Sequence, residues 1–120
     1  MAKFLKRWTP VFLWMAVIFF LSSQPIIRAS SVDPLDFVVK KTAHIIEYAV
    51  LFVLLSRALQ GKYKKAFLIG AFYAFTDETH QLFTPGRGGS LRDVLLFDIT
   101  GLSLAWFLLH KNHKLLKWIK

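Results

Sequence analysis

Apolar and polar positions alternate along this chain in blocks, and the blocks are long. The first apolar block runs from about Trp8 to Leu21 and closes on Ser22-Ser23-Gln24-Pro25. The second runs from about Phe37 to Leu59, entered through Asp33-Pro34. The third covers about Ala66 to Phe83 and the fourth about Leu91 to Leu109. Each approaches the ~20 residues that an α-helix needs to cross a ~30 Å hydrocarbon core. Thr9-Pro10 has the form of a cap followed by proline in the first turn, and Asp33-Pro34 repeats it. The pattern predicts four helices, over about 8–24, 37–59, 66–83 and 91–109, forming an all-α four-transmembrane-helix bundle in one domain spanning 1–120.

Composition agrees. Of 120 residues, 55% are apolar and only 19% charged, whereas a soluble domain carries about a quarter charged residues. Mean hydropathy is +0.45. There is no cysteine, which excludes disulfides, thiolate metal sites and cysteine nucleophiles. A net charge of +9 would ordinarily suggest nucleic acid. Here the cations lie between apolar blocks and no nucleic-acid motif accompanies them, so membrane lipids are the expected partner and nucleic acid is not.

The cations also give an orientation. Lys3, Lys6 and Arg7 precede the first block; Arg57, Lys62, Lys64 and Lys65 separate the second from the third; Lys111, Lys114, Lys117 and Lys120 follow the fourth. By the positive-inside rule both termini are cytoplasmic, in a bacterial inner or plasma membrane. All seven acids fall in or near the two outer connections. The first block also has the charge pattern of a signal peptide, but no good small-x-small cleavage site follows it, so a retained helix is expected. The tail 110–120 alternates Lys with Leu115, Leu116, Trp118 and Ile119, the pattern of a basic amphipathic segment on the inner interface.

Ionisable groups within spans cost about 2.5–3.5 kcal/mol each at mid-helix, so they need partners or a purpose. In the second block His44, Glu47 and Tyr48 are three and four residues apart and share one helix face, with Lys41 one turn above. In the third, Tyr73, Asp77, His80 and Gln81 form another stripe, with Glu78 turned about 100° from Asp77. The fourth contributes Ser90 and Asp93, and Asp98 deeper. These groups converge on the outer third of the membrane, which points to a site. Alternatives exist for each part. Ser90-x-x-Asp93 is also a capping signature, Pro85-Gly86-Arg87-Gly88-Gly89 is turn chemistry with Arg87 as a headgroup anchor, and His44 with Glu47 also suits interhelical hydrogen bonding. Gly70 with Ala74 and Gly101 with Ala105 are small-xxx-small pairs, which predict close packing of the third helix on the fourth.

Three stretches carry a family resemblance: Ser22 to Pro25, Lys41-x-x-His44-x-x-Glu47-Tyr48, and Tyr73-Ala74-x-x-Asp77-Glu78-x-His80-Gln81-x-Phe83-x-Pro85-Gly86-Arg87-x-x-Ser90-x-x-Asp93, completed by Gly101. In these the chain resembles the VanZ-like family of small bacterial membrane proteins. The resemblance implies a four-helix membrane protein, and a link to resistance against teicoplanin, a lipid-tailed glycopeptide antibiotic, through the family's name-giving member. It assigns no biochemical activity, and no role to Asp98.

Two functional readings follow, from different classes. In the first, an outward-facing pocket binds or remodels a lipid-linked cell-wall precursor or a lipoglycopeptide. Lys41, Arg87 and Arg92 at the rim meet a phosphate or carboxylate, while Glu78, Gln81, Ser90 and Asp93 complete the binding set. In the second, the chain is a membrane-embedded hydrolase or transferase. His44, Glu47, Asp77 and His80 then serve as acid–base pairs or as ligands of a divalent metal. A structural subunit pinned by the same polar groups is the third possibility. Whether the chain is an enzyme, whether it needs a metal and how it oligomerises stay open at this level.

Overall fold

The computed structural model describes residues 1–23, 33–81, 94–112, 114 and 117, and the side chains of 1–21, 42–80, 96–112, 114 and 117. Every ordered element among them is helical. α1 spans Ala2–Ser23 and α2 spans Asp33–Ala58. α3 spans Tyr63–Gln81, and a five-residue π-helical segment, Val94–Asp98, leads directly into α4, Ile99–Lys111.

α1 begins well before Trp8, so Pro10 lies inside the helix and not in its first turn. A proline there removes one backbone donor and leaves the Lys6 carbonyl without its i+4 partner. Lys6 sits in the exposed, charged end of α1, where that carbonyl can turn to water. α2 starts at the Asp33-Pro34 signal, with proline in its first turn. It ends in a tight reversal. Gln60 and Gly61 take positive φ, 58° and 84°. The Gly61 N–H donates to the Ser56 carbonyl at 2.8 Å and the Gln60 N–H to Arg57 at 3.1 Å. These paired bonds close the last turn and aim the chain back into α3.

α2 is the centre of the bundle: it packs against α1, α3 and the π-segment with α4. α3 also touches α1, the π-segment and α4. Val11 and Ile18, seven apart on α1, bury one stripe, and Leu51, Phe52 and Leu55 bury the middle of α2. On α4 the buried stripe is Gly101, Leu102, Ala105 and Leu109, continued backward by Asp98 at the end of the π-segment, at helical spacings of three and four.

The two glycine pairs divide between partners. A Cβ at Gly70 would meet the side-chain tip of Leu102 at 2.6 Å, so α3 does lie close on α4. Gly101 instead faces α2, where a Cβ would be driven into the backbone carbonyl of Ile45. It thus sets the α2–α4 approach, and only a residue without a Cβ fits there.

Large apolar side chains are exposed on the outward face of every helix. Phe12, Leu13 and Phe20 on α1, Ile46 on α2, Leu68, Phe72 and Phe75 on α3, and Leu104, Phe107 and Leu108 on α4 are all exposed. The interior, by contrast, holds Asp77, Glu78 and Asp98, each at most 6% exposed. Soluble domains distribute polarity the other way. By length and apolarity together, one helix among the described residues suffices to cross a membrane, α1 over Ala2–Leu21. In the others, charges interrupt the apolar run: Glu47 and Arg57 in α2, and Lys64, Lys65, Asp77 and Glu78 in α3.

Candidate functional site

The polar side chains of the bundle gather around one stripe of α2. His44 places Nδ1 3.8 Å from Glu47 Oε2, one turn along the same helix, and 3.4 Å from Asp98 Oδ1 of the π-segment. One turn further, the Tyr48 hydroxyl donates to Asp77 Oδ2 of α3 at 3.2 Å. His44, Glu47 and Tyr48 share a face because they are three and four apart. That face meets α3 through Tyr48 and α4 through His44. Tyr48 is fully buried, and its ring lies 6.4 Å from that of Tyr73.

α1 frames the site without adding a charge. The Trp14 indole N–H donates to the Glu47 backbone carbonyl at 2.8 Å, and the Tyr73 hydroxyl donates to the Met15 carbonyl at 2.6 Å. Each bond spends the second lone pair of a carbonyl within a helix, so helix pairs are joined without breaking a ladder. Higher on the same side, the Phe19 ring stacks on the His80 imidazole at 4.2 Å between centroids.

The three carboxylates at most 6% exposed, Asp77, Glu78 and Asp98, sit in an apolar-faced bundle, where unpartnered charge is expensive. Around them are groups that can hold negative charge: the Tyr48 hydroxyl donates to Asp77, and the His44 imidazole lies within ion-pair distance of Asp98. His44 keeps 20% of its side chain exposed, so this histidine links the buried acids to the surface. An imidazole with two carboxylates beside its Nδ1 can accept, hold and return a proton, or present its far nitrogen to a ligand.

Of the residues singled out from the sequence, His44, Glu47 and Asp77 lie in this cluster, and Glu78 is buried beside Asp77 on α3. His80 stacks on α1. The side chains of Lys41 and Gln81, together with Arg87, Ser90, Arg92 and Asp93, fall outside the described residues. No group of three or more His, Asp or Glu side chains among the described residues is arranged to hold a metal ion.

Two members of the cluster, Asp98 and Tyr48, belong to neither functional set drawn from the sequence, although both stand on its polar stripes. By sequence Asp98 is only a deeper acid of the fourth block, yet in the fold it makes the closest carboxylate approach to His44. Its signal was the spacing Asp98-x-x-Gly101, which puts the acid on the same stripe as the glycine at the α2 contact. Tyr48, noted on the stripe, is the direct partner of Asp77. At the opposite end of the bundle Phe52, Tyr63, Phe67, Trp106 and His110 form a packed aromatic group. There the Trp106 indole donates to His110 Nε2 at 2.6 Å. One end of the bundle is thus aromatic and the other acidic.

Compared with known families, the chain matches the model of the VanZ/LLP1 family over residues 7–116. That is nearly its whole length, and the chain belongs to this family. No curated protein and no solved structure matches it.

Proposed function

From membership of the VanZ/LLP1 family, we propose that this chain is a four-pass protein of the bacterial plasma membrane, with both termini cytoplasmic, that binds a lipid-linked component of the cell envelope in an outward-facing polar site. The observation that carries this reading is the convergence of His44, Glu47, Asp77 and Asp98 from three helices inside a bundle whose outer faces are apolar. Helix lengths support the four passes. At about 1.5 Å per residue, the 26 residues of α2 reach about 39 Å and the 19 of α3 about 29 Å. The 5 + 13 residues of the π-segment and α4 reach about 27 Å. These match a ~30 Å core. The charges that interrupt α2 and α3 lie at their ends or face the cluster, where the insertion cost is reduced.

A ligand with an acyl or polyprenyl tail and an anionic head suits this arrangement. The tail has exposed Phe and Leu faces to lie along, and Lys41 and Arg87 are the cations assigned to the head. The buried acids are suited to accept sugar hydroxyls of the head. A lipid-tailed glycopeptide such as teicoplanin has the same division into apolar anchor and polar head, which is how a resistance role would arise.

Native mass spectrometry of the purified protein with a polyprenyl phosphate tests this reading. A stoichiometric adduct is expected for wild type, weakened about tenfold or more, which is about 1.4 kcal/mol, in folded His44→Ala and Asp77→Asn. Absence of any adduct from the wild type, or an adduct unaltered in both variants, contradicts it. The flanking of His44 by two carboxylates favours one second reading, a hydrolase or transferase in which His44 is the general base. Release of inorganic phosphate from the same lipid, abolished in His44→Ala, would be its mark.

A further inference from the structure

α4 meets α2 at a close backbone contact, and what lies one turn beyond it follows from that contact. Gly101 rests against the Ile45 carbonyl. Asp98, three residues earlier on the same stripe, is therefore brought against His44, the residue immediately before Ile45 in α2. Asp98 is 3% exposed and belongs to the π-helical segment Val94–Asp98, the kind of local widening that recurs at functional sites. Both carboxylates near His44 approach the same ring nitrogen: Asp98 Oδ1 at 3.4 Å and Glu47 Oε2 at 3.8 Å from Nδ1. The other nitrogen, Nε2, lies across the ring from both.

We propose that Asp98 is a positioning residue of the site, one that fixes the orientation and tautomer of His44. With a carboxylate on its Nδ1 side, the ring carries a proton at Nδ1, because a bare Nδ1 lone pair would face two negative charges. Nε2 is then the nitrogen presented to whatever enters. A histidine whose one nitrogen is held by a carboxylate, freeing the other for contact, recurs where imidazoles meet metals or reacting protons. Glu47, on the same helix as His44, follows any movement of α2 and cannot report on α4. Asp98 ends the π-segment and leads directly into α4, so the state of His44 depends on α4 staying seated at Gly101. In this way helix packing is coupled to the chemistry of the site.

The assignment rests on the cluster being a binding site only in what Nε2 meets; the tautomer is independent of any ligand. The test is nitrogen-15 NMR of the histidine rings in purified protein, with the His44 signals identified by their loss in His44→Gln. Wild type, Asp98→Leu and Asp98→Glu are compared, with Asp77→Asn as the control that touches Tyr48 instead. In wild type His44 is expected to show a protonated, pyrrole-type Nδ1. Asp98→Leu, which removes the carboxylate but keeps volume, is expected to shift Nδ1 toward the bare, pyridine-type position. Asp98→Glu restores the wild-type signature and Asp77→Asn leaves it in place. A bare Nδ1 in the wild-type protein overturns the proposal whether or not Asp98→Leu folds, and so does a His44 spectrum unchanged in folded Asp98→Leu. A polyprenyl phosphate adduct measured on the same samples separates the two claims. An Asp98-dependent tautomer without any adduct supports the positioning role and removes the binding reading. An adduct with an Asp98-independent tautomer does the reverse.

Discussion

Asp77 and Tyr48 show what a single polar contact does in this interior. The tyrosine hydroxyl donates to the carboxylate at 3.2 Å across the α2–α3 interface, and both residues are buried. Tyr48→Phe keeps the ring and removes only the donor. Interhelical hydrogen bonds in membranes average about 0.6 kcal/mol, but depriving a buried carboxylate of a donor costs nearer 1–3 kcal/mol. The second figure governs here, because Asp77 is the more costly group to leave under-solvated. Tyr48→Phe is therefore expected to lower stability by about 1 kcal/mol or more, read as the midpoint shift in a detergent-based thermal unfolding assay. A midpoint equal to wild type would mean that Asp77 does not depend on this donor. Trp14→Phe, by contrast, removes a donor from a Glu47 carbonyl that already serves its own helix. A smaller loss is expected from it, about 0.6 kcal/mol, so the same assay should rank Tyr48→Phe as the more harmful change.

Between elements, glycine decides which helices touch. At Gly101 the obstacle to a Cβ is the Ile45 backbone, which cannot move without shifting α2. At Gly70 it is the end of the Leu102 side chain, which can rotate. Gly101→Ala is accordingly expected to destabilise by about 1–3 kcal/mol through overpacking. In Gly70→Ala the gain in helix propensity, about 1 kcal/mol, offsets most of the strain. Unfolding midpoints of the two variants should differ in that order, and equal midpoints would contradict the α2–α4 contact.

The elements also show how far the sequence could be read. Spacings of three and four placed His44, Glu47 and Tyr48 on one face, and that face is the centre of the cluster. Such information is local, so it survives without knowledge of neighbours. Pro10 was misleading because Thr9-Pro10 has the form of a cap, whereas Phe4 and Leu5 already continue the apolar run that α1 follows. The close packing predicted for the third and fourth helices holds at Gly70, but Gly101 turned to α2. A small-residue pair marks a close approach without saying to which helix. Asp98 depended on that same missing information, together with the π-helical segment before α4, which no spacing rule announces. The stacking of Phe19 on His80 likewise required α1 to lie beside α3.

At the scale of the whole molecule, polarity runs from an aromatic end containing Tyr63, Trp106 and His110 to an acidic end containing His44, Asp77 and Asp98. The cations Arg57, Lys62, Lys64, Lys65 and Lys111 belong to the aromatic end. In the proposed topology, which follows the positive-inside rule, that end is the cytoplasmic one and the acidic cluster faces outward. This is the central claim, since an outward-facing site and an inward-facing one would meet different ligands. The absence of native cysteine allows a direct measurement. Single-cysteine variants Ala29→Cys, Gly88→Cys, Lys62→Cys and Lys117→Cys are exposed to a membrane-impermeant maleimide in intact cells, then again after permeabilisation. Labelling of the cysteines at 29 and 88 in intact cells, and at 62 and 117 only after permeabilisation, is the predicted result. Labelling at 62 or 117 in intact cells, with 29 and 88 protected, would invert the bundle and place the polar cluster on the cytoplasmic side.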